Sequence, residues 1–260
     1  MSVNSVRVTL PTRGIPFAIG THFDAVSFRE EQFAGVMDPL LMVDHFRMTE
    51  PTFGPHRHAG FSAVTYVLED SRSPHLNSDS LGNDLPIYPG ALHWMVAGRG
   101  VTHDEWPGGD NPEVHGLQIF VDLPADKKNI DPYAVHLEPE DVPEYRADGV
   151  RIKVVAGEFD SLRSPVQLPQ PFSILDVFLE LGVSLALGVK AAWGAWLYVL
   201  DGDIQIEVDG NALVVKQGFS IAMSGCGEGS PLQVGSLEKC HFVLLSGEHV
   251  RQGDDRSGGR

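Results

Sequence analysis

Glycine and proline recur along the whole 260-residue chain, 28 and 18 of them, and the apolar runs they leave between them are short. FSAVTYVLE (61–69), LHWMVAG (92–98), VHGLQIFVDL (114–123), RIKVVAGEF (151–159), SILDVFLELG (173–182) and AWLYVLDGDIQIEVDG (195–210) are rich in Val, Ile, Leu, Phe and Tyr. Each spans strand-like length and ends at a turn former. Ile204, Ile206 and Val208 alternate with Gln205, Glu207 and Asp209, the period of a half-buried strand, and Asp201-Gly202 and Asp209-Gly210 bracket it as turns. Helical signals are confined to Asp24–Phe33 and Glu138–Tyr145, where short helices are expected, and neither carries a long 3.6-residue stripe. Many short strands at regular spacing predict an all-β chain of sandwich or barrel type.

The length suffices for one large domain or two. Residues 124–150 are polar, charged and Pro-bearing, as a connection between two β units would be. TYVLED (65–70) and LYVLDGD (197–203) echo each other, each an aromatic-aliphatic strand before an acidic turn. The expected division is therefore 1–135 and 136–252. The remaining tail, GDDRSGGR at 253–260, has nothing apolar to bury and is expected to be disordered.

Charge and cysteine content narrow the partners. Nineteen Lys and Arg against 35 Asp and Glu leave a net charge of −16, which repels phosphate backbones and anionic lipid. Direct nucleic-acid binding and membrane binding are not expected. MSVNSVRVTL has neither the basic start nor the apolar stretch of a signal peptide, and no run reaches membrane-span length. With only Cys226 and Cys240, the chain reads as a cytoplasmic protein without a disulfide scaffold, its cysteines being small buried hydrophobes.

Histidine is unevenly placed: nine of the 11 lie at or before His136. His56-Arg57-His58 precedes the strand FSAVTYVLE, and residues two apart in an extended chain face the same side. His103-Asp104-Glu105 follows LHWMVAG and has the same spacing. Two such pairs on neighbouring strands would bring three imidazoles and one carboxylate to one ion, leaving positions open for substrate or dioxygen. Such a set suits iron(II), manganese, nickel, copper or zinc. The plainer readings are that His103 holds a tight turn, that Glu105 is solvated and that His56 and His58 decorate a loop. His75, His115 and above all His93, in PGALH (89–93), compete for the same role.

Longer strings narrow these choices. DPLLMVDHF (38–46), PHRHAGFSAVTYVLED (55–70), SDSLGN (78–83) and PGALHWMVAGRGVTHDE (89–105) resemble the first-domain blocks of the pirin family of two-domain cupins. VVAGEF (154–159), SPV (164–166) and ILDVFLELG (174–182) resemble the opening of that family's second domain, and the resemblance runs over roughly residues 5 to 248. It implies a bicupin, two β-barrel or jelly-roll domains packed together with few short helices, with one divalent metal, usually iron, in the first. The ligand positions it implies are His56, His58, His103 and Glu105, with His93 nearby and not a ligand. The second domain, with no histidine in GVKAAWGAW (188–196), is implied to be metal-free and structural, and Trp193 and Trp196 to serve as packing.

Two departures stand out. Many pirins carry a Glu directly after the Gly-Phe of this block, where this chain has Ser62, and Arg57 stands where a Pro is common. If that Glu orients a histidine or a bound substrate in the family, the surroundings of the metal are altered here.

Two functions are implied by the resemblance. One is quercetin 2,3-dioxygenase-like chemistry, opening a flavonol with O2, with Glu105 as the proton acceptor and Phe53, Phe61, Trp94 and Met95 lining the pocket. The other is a metal- or redox-dependent regulatory role through a protein partner, without turnover. The charge of −16 weighs against any version of it that contacts DNA.

Overall fold

The structure, a computed structural model, describes residues 6–225 and 229–251. Cys226 and the tail at 253–260 lie outside the described residues. Among those described, regular structure is almost wholly strand, with three short 3-10 turns, and no helix is long and apolar enough to cross a membrane.

Each apolar run of the sequence becomes a strand. Both expected helices are corrected. Asp24–Phe33 is the strand Phe23–Arg29 followed by a 3-10 turn, Glu30–Phe33. Phe23, Ala25 and Ser27 are buried on one face while Asp24 and Val26 between them are exposed and half-buried, so period 2 wins over the weak helical pattern. Glu138–Tyr145 holds only the 3-10 turn Pro139–Asp141 before the edge strand Glu144–Ala147 begins.

Two units with one topology make up the chain. In the first, a seven-stranded antiparallel sheet runs Tyr133–Leu137, Leu92–Val96, Phe61–Val67, Val114–Asp122, Leu40–Met48, Phe23–Arg29, Ile15–Ile19. A four-stranded sheet, His56–His58, Val101–Pro107, His75–Asp79, Asp84–Ile87, faces it. The second unit repeats both orders: Arg7–Val8, Phe219–Ser224, Trp193–Asp201, Cys240–Glu248, Phe172–Leu179, Val150–Ala156, Glu144–Ala147, and then Ser184–Val189, Ser230–Ser236, Ile204–Val208, Asn211–Val215. This is the bicupin architecture. The edges are exchanged: the chain's first strand closes the second unit's large sheet, and Tyr133–Leu137 occupies the matching edge of the first. Residues 124–150 thus contribute strands to both units besides connecting them.

Register makes the repeat residue-specific. Thr65 pairs with Gln118, which pairs with Asp44, and in the second unit Leu197 pairs with Leu244, which pairs with Leu175. The echo seen in the sequence, Tyr66 against Tyr198, therefore falls on equivalent positions. His45 likewise corresponds to Asp176, and His115 to His241.

The large sheets pack against each other through an apolar core drawn from both units. Phe28 meets Trp196 with ring centroids 5.2 Å apart, and Trp94 meets Phe172 at 5.3 Å. Aromatic pairs of this geometry add to the area they bury. Two phenols cross this core at equivalent places. Tyr66 donates to Asp176 Oδ2 (2.7 Å), and Tyr198 Oη lies 2.9 Å from His45 Nδ1. The direction of the second bond follows from its neighbours. His115 Nδ1 donates to Asp70 Oδ1 (2.7 Å), so its Nε2 accepts from His45 Nε2 (2.6 Å), leaving His45 Nδ1 to accept from Tyr198.

Candidate metal centre

Cross-strand pairing assembles the site. His56 and His103 face each other directly on adjacent strands, and His58 lies two residues on from His56. The i, i+2 spacing turns both members of the pair inward, with Arg57 exposed between them. One nitrogen from each of His56, His58 and His103 lies within 4.8 Å of the others. His103 Nε2 is 3.0 Å from His58 Nε2 and 3.0 Å from His56 Nε2.

The outer nitrogens are held, which orients the inner ones. His56 Nδ1 donates to the Gly54 carbonyl (2.9 Å), and His103 Nδ1 to Asn77 Oδ1 (3.1 Å). Their Nε2 atoms then carry lone pairs that meet at 3.0 Å, a contact that is repulsive unless a cation lies between them. Burial, together with the neighbouring imidazoles, lowers His58 to about 4 and His103 to about 3 from the usual imidazole range, so both are neutral at pH 7. Neutral, oriented, convergent imidazoles are the donor set a divalent transition metal requires.

Glu105 follows on the same face, its Oε2 3.7 Å from His103 Nε2. It is almost fully buried, and burial pushes its carboxyl up to about 7 against the hydrogen bond from Thr65 Oγ1 to Oε1 (3.0 Å). Thr65 Oγ1 is also 3.0 Å from Gln118 Oε1. Its one proton can serve only one of these acceptors at a time.

A pocket of about 210 Å³ opens on this cluster, lined by Phe23, Met42, Phe46, Met48, Phe53 and Phe120 along with Asp44, Gln118, His75, Glu105, His56 and His58. Of the four residues expected to line it, Phe53 does so, half exposed at the mouth. Phe61 packs edge-on against His58 (5.3 Å) and beside Phe120 (4.7 Å), outside the lining. Trp94 and Met95 are placed elsewhere. Strand alternation sends Trp94 into the core between the units, and Met95 is packed among Ala63, Ala97 and Val101.

The rival histidines separate by the same logic. His75 lies on the pocket wall, 3.8 Å from Glu105 Oε1, with burial lowering it to about 3. His93 sits beside His136, ring centroids 5.7 Å apart, and is not one of the three convergent imidazoles. His115 belongs to the relay with Asp70 and His45. Ser62 alternates with Ala63 and Thr65 and so shares the face of Val64 and Tyr66, which lies toward the other unit. The side chain at 62 does not reach the imidazoles, which corrects the expectation that its identity alters their surroundings.

Asp44 was missed. A carboxylate inside the apolar run LLMVDHF is its signal in the sequence. Burial raises it above the usual aspartate range, and its Oδ1 has no partner among the described residues. Asp44, Gln118 and Thr65 stand side by side across three adjacent strands as a polar row, of which Asp44 and Gln118 line the pocket.

In the second unit, the positions matching His56, His58, His103 and Glu105 are Leu187, Val189, Leu232 and Val234, all buried. Leu187 lies just before the stretch 188–196 singled out in the sequence, and Val189 lies within it. None can ligate a metal.

Fold and site define a class: a bicupin with a three-imidazole cluster in its first unit. The pirin family's sequence profile matches residues 6–121. Human Pirin is 33% identical over 219 residues, 83% of this chain and 73% of that protein. The chain belongs to the pirin family. Among solved structures, GK1651 from Geobacillus kaustophilus superposes with a TM-score of 0.85 at 27% identity, covering 95% of this chain and 98% of that one. Quercetin 2,3-dioxygenase from Acinetobacter baumannii gives 0.81 at 22%, covering 98% and 91%. The bacterial pirin YhhW from Escherichia coli, in complex with nickel(II), gives 0.70 at 18%, covering 94% and 100%.

Proposed function

We propose that this protein is a metal-dependent dioxygenase that opens a hydroxylated flat aromatic such as a flavonol, with His56, His58, His103 and Glu105 holding one divalent metal, Fe(II) first among the candidates. The observation that carries this reading is the pocket itself: three convergent imidazoles and a buried carboxyl at the inner end of an apolar-walled cavity. The likeness to a quercetin 2,3-dioxygenase in fold supports the substrate class. A metal bound there would act as a Lewis acid, lowering the pKa of a substrate hydroxyl and bringing the substrate anion together with dioxygen.

The chain's own groups do the rest. Glu105 and Asp44 are buried carboxyls raised above their ordinary range, and each can take the hydroxyl proton. The Thr65 hydroxyl donates to Glu105 or to Gln118, so a proton gained by one carboxyl is accommodated by a turn of one O–H. Phe23, Phe46 and Phe120 exclude water and offer ring faces to a flat substrate. At about 210 Å³ the pocket is smaller than the roughly 300–1,000 Å³ usual for drug-sized ligands. It admits one ring and leaves the remainder of a flavonol at the mouth beside Phe53.

The test measures metal content, then flavonol loss with and without oxygen, for the native protein and for Glu105→Gln. Turnover that needs both metal and oxygen and falls by about 10²-fold or more in the variant supports the reading. Bound metal with no turnover on a flavonol panel overturns it in favour of a metal-dependent regulatory protein acting through a protein partner.

A further inference from the structure

The second unit is not filled solid. Its inner half is packed with Val177, Leu179, Val189, Ile204 and Val234, but its mouth holds a cavity of about 630 Å³. Five residues of that cavity, Ser173, Leu175, Leu187, Leu244 and Ser246, are register equivalents of Met42, Asp44, His56, Gln118 and Phe120, which line the metal pocket. The duplicated fold therefore keeps a ligand-sized opening at the matching place and replaces its metal ligands by aliphatic side chains. The volume is within the range of small-molecule sites.

The walls specify what fits. Leu175, Leu187 and Leu244 form an apolar floor, and Phe159, Phe172 and Trp193 present aromatic surface. At the rim, Lys190 Nζ and Arg163 Nη2 each lie 2.7 Å from one carboxylate, Glu158, so two cations share one negative charge. Lys190 is also seated over the Trp193 ring, 4.9 Å from its centroid. Asp160, the other acid on the wall, accepts from Ser161 Oγ at the hairpin tip (3.2 Å). At the opposite side Gln170, 6% exposed, is anchored by Nε2 donating to the Asp122 carbonyl (2.7 Å). Its Oε1 is fully enclosed, so Gln170 closes this side as an anchored wall residue.

We propose that this cavity is a second, metal-independent binding site for a small aromatic carboxylate. The carboxylate meets Lys190 and Arg163, and the ring lies on the leucine floor between Trp193 and Phe172. The site is independent of the reading of the metal centre.

The probe is benzoate, titrated calorimetrically into metal-stripped protein, with benzyl alcohol as the analogue lacking the carboxylate. One saturable equivalent is expected, weakened roughly tenfold by loss of the carboxylate and by Lys190→Ala, and unchanged in His56→Ala. Ser246→Leu fills the floor and is expected to abolish binding. Absence of saturable binding, binding that survives Ser246→Leu, or binding lost in His56→Ala would each overturn the proposal.

Discussion

The pseudo-symmetric phenols between the units allow one hydroxyl deletion to calibrate another. Tyr66 and Tyr198 are equivalent in register and similarly buried, at 0% and 3% exposed, and each bonds a side chain of the opposite unit. Their acceptors differ: the Asp176 carboxylate for Tyr66, and His45, which burial lowers to about 3 and keeps neutral, for Tyr198. Tyr66→Phe removes a hydrogen bond to a buried carboxylate and leaves Asp176 only His241 Nε2, at 2.5 Å. Such bonds contribute roughly 1.5–3 kcal/mol, against roughly 0.5–1.5 for neutral pairs. Tyr66→Phe is therefore expected to cost about 2 kcal/mol and Tyr198→Phe about 1. For a chain of this size that corresponds to falls in Tm of about 4–8 °C and 2–4 °C. Urea denaturation of the metal-free protein, followed by far-UV circular dichroism, reads both losses as midpoint shifts. Equal losses, or a larger loss for Tyr198→Phe, with unchanged m-values, would refute the assignment of acceptor chemistry at this interface.

His103→Ala is expected to abolish metal binding and His93→Ala to retain it, as measured by metal analysis after dialysis; metal loss in the second variant contradicts the ligand assignment. Asp44→Asn keeps the shape of the pocket wall but cannot take a proton, so catalytic turnover should fall about tenfold or more with metal content unchanged. Glu69 is held down to about 2 by hydrogen bonds from Arg151, with Lys153 adding to them. A depressed carboxylate stabilises the fold above its ordinary value near 4.5 and loses that contribution as pH falls toward 2. With Glu69 about a third exposed, screening leaves about 1 kcal/mol. Glu69→Gln should thus match the native stability near pH 2 and fall below it by that amount at pH 6, as read by denaturant titration.

Much of this protein was legible one residue at a time. Period-2 alternation and turn dipeptides place the strands, because both are local consequences of backbone geometry. The spacings of His56 with His58 and of His103 with Glu105 put each pair on one face for the same reason. Asp24–Phe33 misled because six polar or charged residues in ten mimic a helix surface, whereas pairing with Ile15–Ile19 and Leu40–Met48 decides that Phe23–Arg29 is extended. Trp94 misled because proximity in sequence to the metal block says nothing about which side of a strand a side chain takes.

Taken alone, the sequence determines an all-β chain in two units, an acidic surface and a histidine pattern able to bind metal, all properties of neighbours within a few residues. Only the tertiary structure decides which positions far apart in the chain become adjacent. Register sets Asp44, Gln118 and Thr65 in one row, points Ser62 away from the site, mates Tyr66 with Asp176, and leaves the second unit's mouth open where its metal ligands have become leucine and valine. That register comes from burying one face of every strand at once, a condition on the whole sheet that no single segment carries.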